Sequence, residues 1–141
     1  MSLKHIAQIA GSAMTAQTTR LNTVASNLAN AHSAAGSEND VYRARKPVFA
    51  ALYGGDKFGD SQGAGARVQV LDVVESTEPA SKAYEPDNPL ANADGVVFYP
   101  NVNSVAEMTD MMSASRAFET NIEVLQRVKS MQMSLLKLGD S

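Results

Sequence analysis

Mostly apolar residues near the start of the chain recur at alternating steps of four and three residues. This is the heptad spacing of helices that pack lengthwise, and we call the row of residues the seam. The seam is Leu3, Ala7, Ala10, Met14, Gln17, Leu21, Val24, Leu28 and Ala31. No proline interrupts it, so the pattern predicts one long helix within residues 1–33. Several seam positions are Ala or Gln, and such small or polar side chains contribute little apolar burial each.

The last part of the chain, residues 104–141, predicts a second long helix. Its apolar stripe is Met108, Met111, Phe118, Ile122, Leu125, Val128 and Leu135. Ser104 and Glu107 fit a capping box, in which the hydroxyl and the carboxylate accept the unpaired N–H groups of the first turn. Gly139 is expected to end this helix.

Between the helices, residues 34–103 hold most of the Gly, Pro and aromatic residues, which favours strands and turns over helices. Extended segments are expected at Val41–Phe49, with a bend or an end at Pro47, at Arg67–Glu75 and at Val96–Tyr99. A Gly-rich loop separates the first two, and Asp94-Gly95 predicts a turn before the third. Three prolines between Glu78 and Asn92 exclude a helix or an inner strand there.

Together these segments predict a mainly α fold with a small β element. The long N-terminal and C-terminal helices would pair in a coiled-coil layer, and the middle segment would form β-hairpins. Two rods of 40–50 Å, the lengths that about 29 and 35 helical residues give, cannot enclose a compact core in a 141-residue chain. We therefore expect a thin helix pair that neighbouring subunits complete, so that the entropy cost of ordering is met on assembly.

Composition and charge exclude several classes of protein. The formal net charge of −3 is a poor match to a nucleic-acid binder, and the absence of cysteine excludes disulfides and thiolate zinc sites. No apolar run approaches the roughly 20 residues of a membrane span. The first residues do not resemble a cleavable secretory signal, because His5, Gln8 and Ser12 interrupt the apolar stretch that such a signal needs.

No group of residues predicts an active site, a cofactor site or a metal site. His5 and His32 lie far apart and lack ligands at metal spacing. The acidic and Asn residues between Asp87 and Gly95 do not match a calcium loop, and an Asx-Pro turn explains them better. The basic cluster Arg43, Arg45 and Lys46 could contact nucleic acid or membrane, but a charged strand edge or an ion pair between subunits is the favoured interpretation. The chain is therefore not expected to be an enzyme.

The asparagines of the predicted helices require an explanation, because asparagine is a poor helix former. Asn22, Asn27 and Asn30 lie in the first helix, and Asn121 lies in the second. They either lie on a solvated face or form hydrogen bonds across a helix seam, where buried Asn fixes the register of coiled coils.

Two short motifs stand out in the first third of the chain, VASNLAN at residues 24–30 and YRARK at residues 42–46. The first resembles the N-terminal signature of the flagellar axial proteins, the family that builds the rod and hook of the bacterial flagellum, and the second resembles the segment that follows that signature. Most rod proteins join the two with a short Asn-x-Thr-x-Gly-Tyr link, whereas His32, Ser33 and a longer loop stand here. In this segment the chain resembles the proximal-rod branch of the family. Further motifs of this branch are YEPDNP at 84–89, DGVV at 94–97, PNVN at 100–103, Glu107 with Met108, and SASRAFETN at 113–121.

The resemblance implies a structural subunit of the basal-body rod that assembles into a helical tube, transmits torque for motility and forms part of the export channel. It implies type III export without a cleaved signal, and a position in the rod where it crosses the periplasm. The implied partners are further copies, other proximal and distal rod proteins and the export-gate adaptor, with no nucleic acid and no small-molecule substrate. The implied assembly residues are Leu21, Val24, Asn27, Leu28, Asn30, Asn101, Asn103, Phe118, Asn121, Ile122, Leu125 and Val128.

An alternative from another class also fits the two long helices: a soluble adaptor or chaperone-like module that binds a partner helix. Helicity of the lone chain discriminates between the two hypotheses. A rod subunit should be less helical alone than its two helices require, whereas an adaptor should be fully helical and melt cooperatively.

Overall fold

The computed structural model describes residues 2–53 and 66–139, and the predicted Gly-rich loop lies outside this range. Two long helices flank four strands. In chain order the elements are α1 (Leu3–Asn30), β1 (Arg45–Tyr53), β2 (Ala66–Glu75), β3 (Ser81–Tyr84), β4 (Val96–Tyr99) and α2 (Ser104–Gly139). Helix α1 ends at the predicted position, and α2 contains Gly139 as its last residue.

The two helices pack against each other in antiparallel orientation. The Arg20 guanidinium in the second half of α1 contacts the Asp110 carboxylate near the start of α2. Asn27, about two turns later on α1, bonds Glu107, about one turn earlier on α2. In this register the first residue of α1 lies near residue 129 of α2. All residues from Lys129 to Gly139 are exposed. Helix α2 therefore extends past the start of α1 by about ten residues, or roughly 15 Å.

The start of α2 differs from the predicted capping box. The Asn103 side-chain oxygen accepts the N–H groups of Val105 and Ala106, each at 3.1 Å, so Asn103 caps the helix. The carboxylate of Glu107 does not return to its own helix end, because it accepts a hydrogen bond from Asn27 of α1 instead. The Ser104–Glu107 capping box is thus wrong, and Glu107 links the helices.

Strands β1 and β2 form an antiparallel hairpin that packs on α1. Its register runs from Arg45 opposite Glu75 to Tyr53 opposite Ala66, with an irregularity between Val48 and Phe49. The Ser12 hydroxyl of α1 accepts the backbone N–H of Val68 in β2 at 3.1 Å. The hairpin is thereby tied to the first half of the helix.

Pro47 lies inside β1, so the prediction that the extended segment ends there is wrong, and the irregularity in the hairpin register follows Pro47 closely, between Val48 and Phe49. Ser76 N–H donates to Ala44 C=O at 2.7 Å beside the first residue pair of the hairpin. Alternation along an antiparallel ladder then places Pro47 at a non-hydrogen-bonded position opposite Val73. Its nitrogen points to the open edge of the strand, where a missing N–H costs nothing in the ladder.

Strands β3 and β4 form a second, separate hairpin. Gly95, just before β4, has a φ of 73°, which favours glycine, and a Cβ there would lie 2.9 Å from the ring of Tyr84. Phe98 of β4 exchanges backbone hydrogen bonds of 2.8 and 2.9 Å with Ala35, which ties this hairpin to the segment after α1. The predicted turn at Asp94-Gly95 and the strand Val96–Tyr99 are both found.

The apolar core consists of small side chains. Among the described residues, the buried apolar ones are Ala10, Ala16, Val24, Ala31, Val41, Ala44, Val97, Ala114 and Val128. No Leu, Ile, Met or Phe of the described chain is buried to that degree, whereas several Leu and Met side chains of α2 are more than half exposed. Burial scales with the apolar area removed from water, so Ala and Val supply little stabilisation for helices this long.

The mainly α fold with a small β element is confirmed. In the described chain, no helix combines the length and the hydropathy that a membrane crossing requires.

Candidate assembly surfaces

Asn27 is the most connected polar side chain of the helix pair. It is 1% exposed, and its amide forms four hydrogen bonds. Its nitrogen donates to the Arg45 carbonyl at 2.9 Å and to the Glu107 carboxylate at 3.1 Å. Its oxygen accepts the Tyr42 hydroxyl and the Arg45 N–H, each at 2.9 Å. An amide has two donors and two acceptor sites, so Asn27 is fully satisfied.

The Asn27 amide bonds a backbone N–H and a backbone C=O on the outer edge of β1, as a neighbouring strand would. Arg45 and Glu75 form a non-hydrogen-bonded pair, because the adjacent pair contains the bond from Ser76 N–H to Ala44 C=O. The N–H and C=O of Arg45 therefore point away from β2, and both meet Asn27. One side chain thus fixes the position of α1, β1 and α2 relative to one another.

Side chains around Asn27 extend this cluster to the surface. The Tyr42 hydroxyl lies 3.1 Å from that of Ser26, and the Arg45 guanidinium lies 5.9 Å from the centre of the Tyr42 ring. Arg45 also pairs with Glu75 across the hairpin at 3.2 Å. Arg45 of the basic cluster is therefore engaged in ion pairing within the chain, at a charged strand edge.

A second polar link between the helices lies about two turns before Asn27 on α1. The Arg20 guanidinium bonds both carboxylate oxygens of Asp110. The two side chains are 26% and 41% exposed, so water weakens the pair, and its contribution is about 1 kcal/mol or less. Its two-point geometry nevertheless supports the register that Asn27 sets.

The apolar residues predicted for assembly all lie in the partly covered faces of the helices. Val24 and Val128 are buried, and the remaining members are half-buried, namely Leu21, Leu28, Phe118, Ile122 and Leu125. Met108 and Leu135 of the predicted stripe are instead 55% and 60% exposed. The covered part of the stripe is thus its middle, and both of its ends are open.

The predicted asparagines have unlike roles within the chain. Asn27 alone bonds across the helix pair. Asn30 and Asn121 donate to the carbonyls of Ser26 and Ala117 in their own helices, each at 2.8 Å. Asn101 donates to Glu78 at 3.2 Å, and Asn103 caps α2. Whether these groups contact other subunits remains a prediction.

Sequence reasoning missed the partners of Asn27. Tyr42 belongs to the motif at 42–46, but the motif does not predict that the Tyr42 hydroxyl donates to Asn27. The sequence predicts a capping role for Glu107, whereas its carboxylate accepts from Asn27. The signal that could have found them is the poor helix propensity of Asn in a seam, which requires compensation from polar partners.

A carboxylate and a phenol connect the loop before β4 to the strand itself. The Tyr99 hydroxyl donates to Glu85, with both carboxylate oxygens at 3.2 Å. Desolvation, followed by the hydrogen bond and the charge of Glu85, raises the pKa of Tyr99 above 10.0. In the part of the chain that the structure describes, no three His, Asp or Glu side chains are grouped so that they could hold a metal ion.

Two family models match the segments that form the helix pair. One is described as "Flagella basal body rod protein" and matches residues 8–32, within α1 and just beyond it. The other is described as "Flagellar basal body rod FlgEFG protein C-terminal" and matches residues 93–138, from before β4 to near the end of α2. The family models therefore match the two helices and the short segment before α2, and β1, β2 and β3 lie between the matched segments.

Curated relatives match over nearly the whole chain, and all three described here are called flagellar basal-body rod protein FlgC. The protein of Escherichia coli O157:H7 is 49% identical over 140 residues, and that of Salmonella typhimurium is 49% identical over 139 residues. The Bacillus subtilis protein is 31% identical over 149 residues. Each match covers 99% of both chains. The middle motifs resemble the branch called proximal rod protein C, or FlgC, and these relatives confirm that resemblance.

Proposed function

This chain belongs to the FlgC family of flagellar basal-body rod proteins, and from that premise we propose that its two helices join those of neighbouring subunits in the wall of the rod. The chain is a structural subunit of the bacterial flagellar basal body, located in the rod. The family is a structural one, and we infer that this member acts mechanically rather than as a catalyst. Membership of the family favours the rod subunit over the alternative of a soluble adaptor.

The observation that carries the proposal is the thin core of the helix pair. Helices of 28 and 36 residues are held by buried Ala and Val, while larger apolar side chains remain exposed at both ends of α2. Such a pair gains most of its burial only when other helices cover it. Packing in a coiled-coil layer of a helical tube would provide that cover.

A tube of this kind accounts for torque transmission and for a channel. Load is shared among many parallel helix contacts, and the β-hairpins would brace the layer from outside. The Asn27 cluster supports this role, because it holds α1, α2 and β1 in one register. We infer that the subunit transmits torque as part of the rod and lines part of the export channel.

The proposed partners are subunits of the same rod. Assembly with other rod proteins follows from the family, and we propose both proximal and distal rod proteins as neighbours. Contact with the export-gate adaptor at the base of the rod is a further part of the proposal. The half-buried face of Leu21, Phe118 and Leu125 is the surface we expect to be shared between the chain's own core and its neighbours.

Charge substitution on the half-buried face tests this function. We expect Phe118→Asp and Leu125→Asp to abolish swimming, and to remove the protein from purified basal bodies, because a carboxylate cannot be buried in a helix seam without a partner. The matched control is Thr120→Asp, which adds the same charge at an exposed position of α2. Each variant is expressed in cells whose own copy of the gene is deleted. Normal swimming with Phe118→Asp and Leu125→Asp would contradict the proposal.

A further inference from the structure

Four methionines of helix α2 are exposed to solvent. These open methionines are Met108, Met112, Met131 and Met133, and each is between 53% and 60% exposed. The chain has no cysteine, so methionine thioethers are its only sulfur groups. A thioether that solvent reaches is a target for oxidation by hydroperoxides. The open methionines are therefore candidate modification sites.

Two further methionines of the described chain lie in the helix pair and are half-buried, namely Met14 of α1 and Met111 of α2. Met111 follows Glu107 by four residues and so lies on the same face of α2. Glu107 accepts a hydrogen bond from Asn27 of α1, so this face is turned toward α1. Met112 is the next residue in sequence, but it is rotated by about 100° around the helix axis and is 60% exposed. Adjacent residues of one helix thus differ in their access to an oxidant.

The open methionines make no part of the buried core. Met108 and Met112 are four residues apart and share one face of α2. Met131 and Met133 lie beyond the part of α2 that α1 covers, where all residues from Lys129 to Gly139 are exposed. Oxidation at these four positions should therefore leave the fold of the lone subunit intact.

The reaction transfers one oxygen atom to sulfur. The thioether sulfur attacks an oxygen of hydrogen peroxide, the O–O bond breaks and an S=O bond forms. Sulfur is oxidised by two electrons and the peroxide is reduced. The proton of the transferred hydroxyl passes to the leaving hydroxide, which becomes water. The product, methionine sulfoxide, is polar, whereas the thioether is apolar.

We propose that hydroperoxides oxidise the open methionines of the unassembled subunit, and that the resulting sulfoxides keep the subunit out of the rod. The first part rests on exposure in the folded chain. The second part rests on the proposed function, in which exposed apolar side chains of α2 gain their burial from neighbouring subunits. A sulfoxide buried without a hydrogen-bond partner costs free energy, so assembly would favour unoxidised copies of the chain.

Peptide mass spectrometry tests the first part. The purified full chain is held folded by a stabilising osmolyte and treated with dilute hydrogen peroxide for increasing times. We expect each open methionine to form sulfoxide at least about fivefold faster than Met14 and Met111, because the helix pair partly covers those two. In concentrated urea all six of these methionines should react at similar rates, which controls for intrinsic reactivity. Equal rates in the folded chain would overturn the proposal.

Substitution in cells tests the second part. Glutamine is unbranched and carries a polar oxygen close to the position of the sulfoxide oxygen, whereas leucine stays apolar, has a similar volume and cannot be oxidised in this way. One variant replaces all four open methionines with glutamine: Met108→Gln, Met112→Gln, Met131→Gln and Met133→Gln. A second variant places leucine at the same four positions. Each is expressed in cells whose own copy of the gene is deleted.

We expect the glutamine variant to be reduced at least about tenfold in purified basal bodies, because its polar groups cannot be buried without partners. The leucine variant should be present at the level of the unsubstituted protein. The matched control introduces four glutamines at exposed polar positions of α2, and it should also be retained. Its substitutions are Thr109→Gln, Ser113→Gln, Ser130→Gln and Ser134→Gln.

Loss of the glutamine variant, with the leucine variant and the control retained, supports the proposal. Retention of the glutamine variant, or an equal loss of the leucine variant, overturns it. Swimming of the same cells separates this result from the proposed function. If the glutamine variant is present in basal bodies and the cells swim, the effect of oxidation on assembly is wrong and the rod function stands. If the unsubstituted protein is itself absent from basal bodies, the proposed function fails.

Discussion

Replacing Asn27 with alanine should strongly destabilise the folded subunit. The substitution removes all four hydrogen bonds of a side chain that is 1% exposed. It leaves the N–H and the C=O of Arg45 without a partner, because both point away from β2. Each buried polar group that loses its partner costs about 1–3 kcal/mol, so the expected loss is about 3–5 kcal/mol.

That loss is large compared with the total stability of a domain, which is typically about 5–15 kcal/mol. The assay is urea unfolding of the full chain followed by circular dichroism. A fixed concentration of a stabilising osmolyte is present throughout, so that the thin core has a folded baseline. We expect the unfolding midpoint of Asn27→Ala to fall sharply, and Asn27→Asp to be at least as damaging because its charge faces the Glu107 carboxylate.

Asn22→Ala is the matched control, since Asn22 lies exposed on the same helix. Alanine is the better helix former, so this change should be neutral or stabilise by about 0.5 kcal/mol. A second variant tests the partner. Glu107→Gln in the Asn27→Asp background restores a donor and should recover part of the loss. Equal midpoints for Asn27→Ala and Asn22→Ala would refute the reasoning.

Three further predictions concern separate parts of the chain. Gly95→Ala should lower the stability of the β3–β4 hairpin by about 1–3 kcal/mol, because Gly95 has a positive φ and a Cβ there would meet the Tyr84 ring. Gly11→Ala should instead raise stability by about 1 kcal/mol in the same urea assay, because Gly11 lies in a helix with open space around it. Arg20→Ala should cost no more than about 1 kcal/mol, and raising the salt concentration should reduce the difference from the unsubstituted chain. Glu85→Gln should lower the pKa of Tyr99 in an absorbance titration, and an unchanged titration would contradict this. Because the pKa of Tyr99 is raised in the folded state, the stability of the unsubstituted chain should fall as the pH rises above about 10.

The helices and most strands could be predicted from local patterns. The heptad seam is covered along its whole length, since each of its nine positions is buried or half-buried. The strand Val96–Tyr99 and the turn at Gly95 follow from β-branched residues and a glycine at the position that needs a positive φ. These features depend on residues that are close in sequence.

The polar links could not be predicted, because they join distant segments. Asn27 and Glu107 are 80 residues apart, and nothing in either local sequence indicates the other. The capping prediction failed for a related reason, since Asn103 could cap the helix one residue earlier and Glu107 had a long-range partner. The continuation of β1 through Pro47 could not be predicted either, because a strand tolerates proline only where the proline nitrogen faces an edge without ladder hydrogen bonds.

The exposed apolar side chains at the two ends of α2 distinguish this chain from a domain that buries its own apolar surface. A periodic stripe predicts burial along its length, yet Met108 and Leu135 remain exposed because α1 is shorter than α2 and covers one face only. In a globular protein such surfaces would promote aggregation. In a rod subunit they are available for assembly.

Far-ultraviolet circular dichroism of the lone chain at micromolar concentration, without osmolyte, tests the central claim most directly. The two helices hold 28 and 36 of the 141 residues, a little under half of the chain. We predict a helical fraction well below that value, rising when the chain is incorporated into basal-body assemblies. A lone chain with the full helical signal and a sharp cooperative melt would contradict the claim that neighbouring subunits complete the fold.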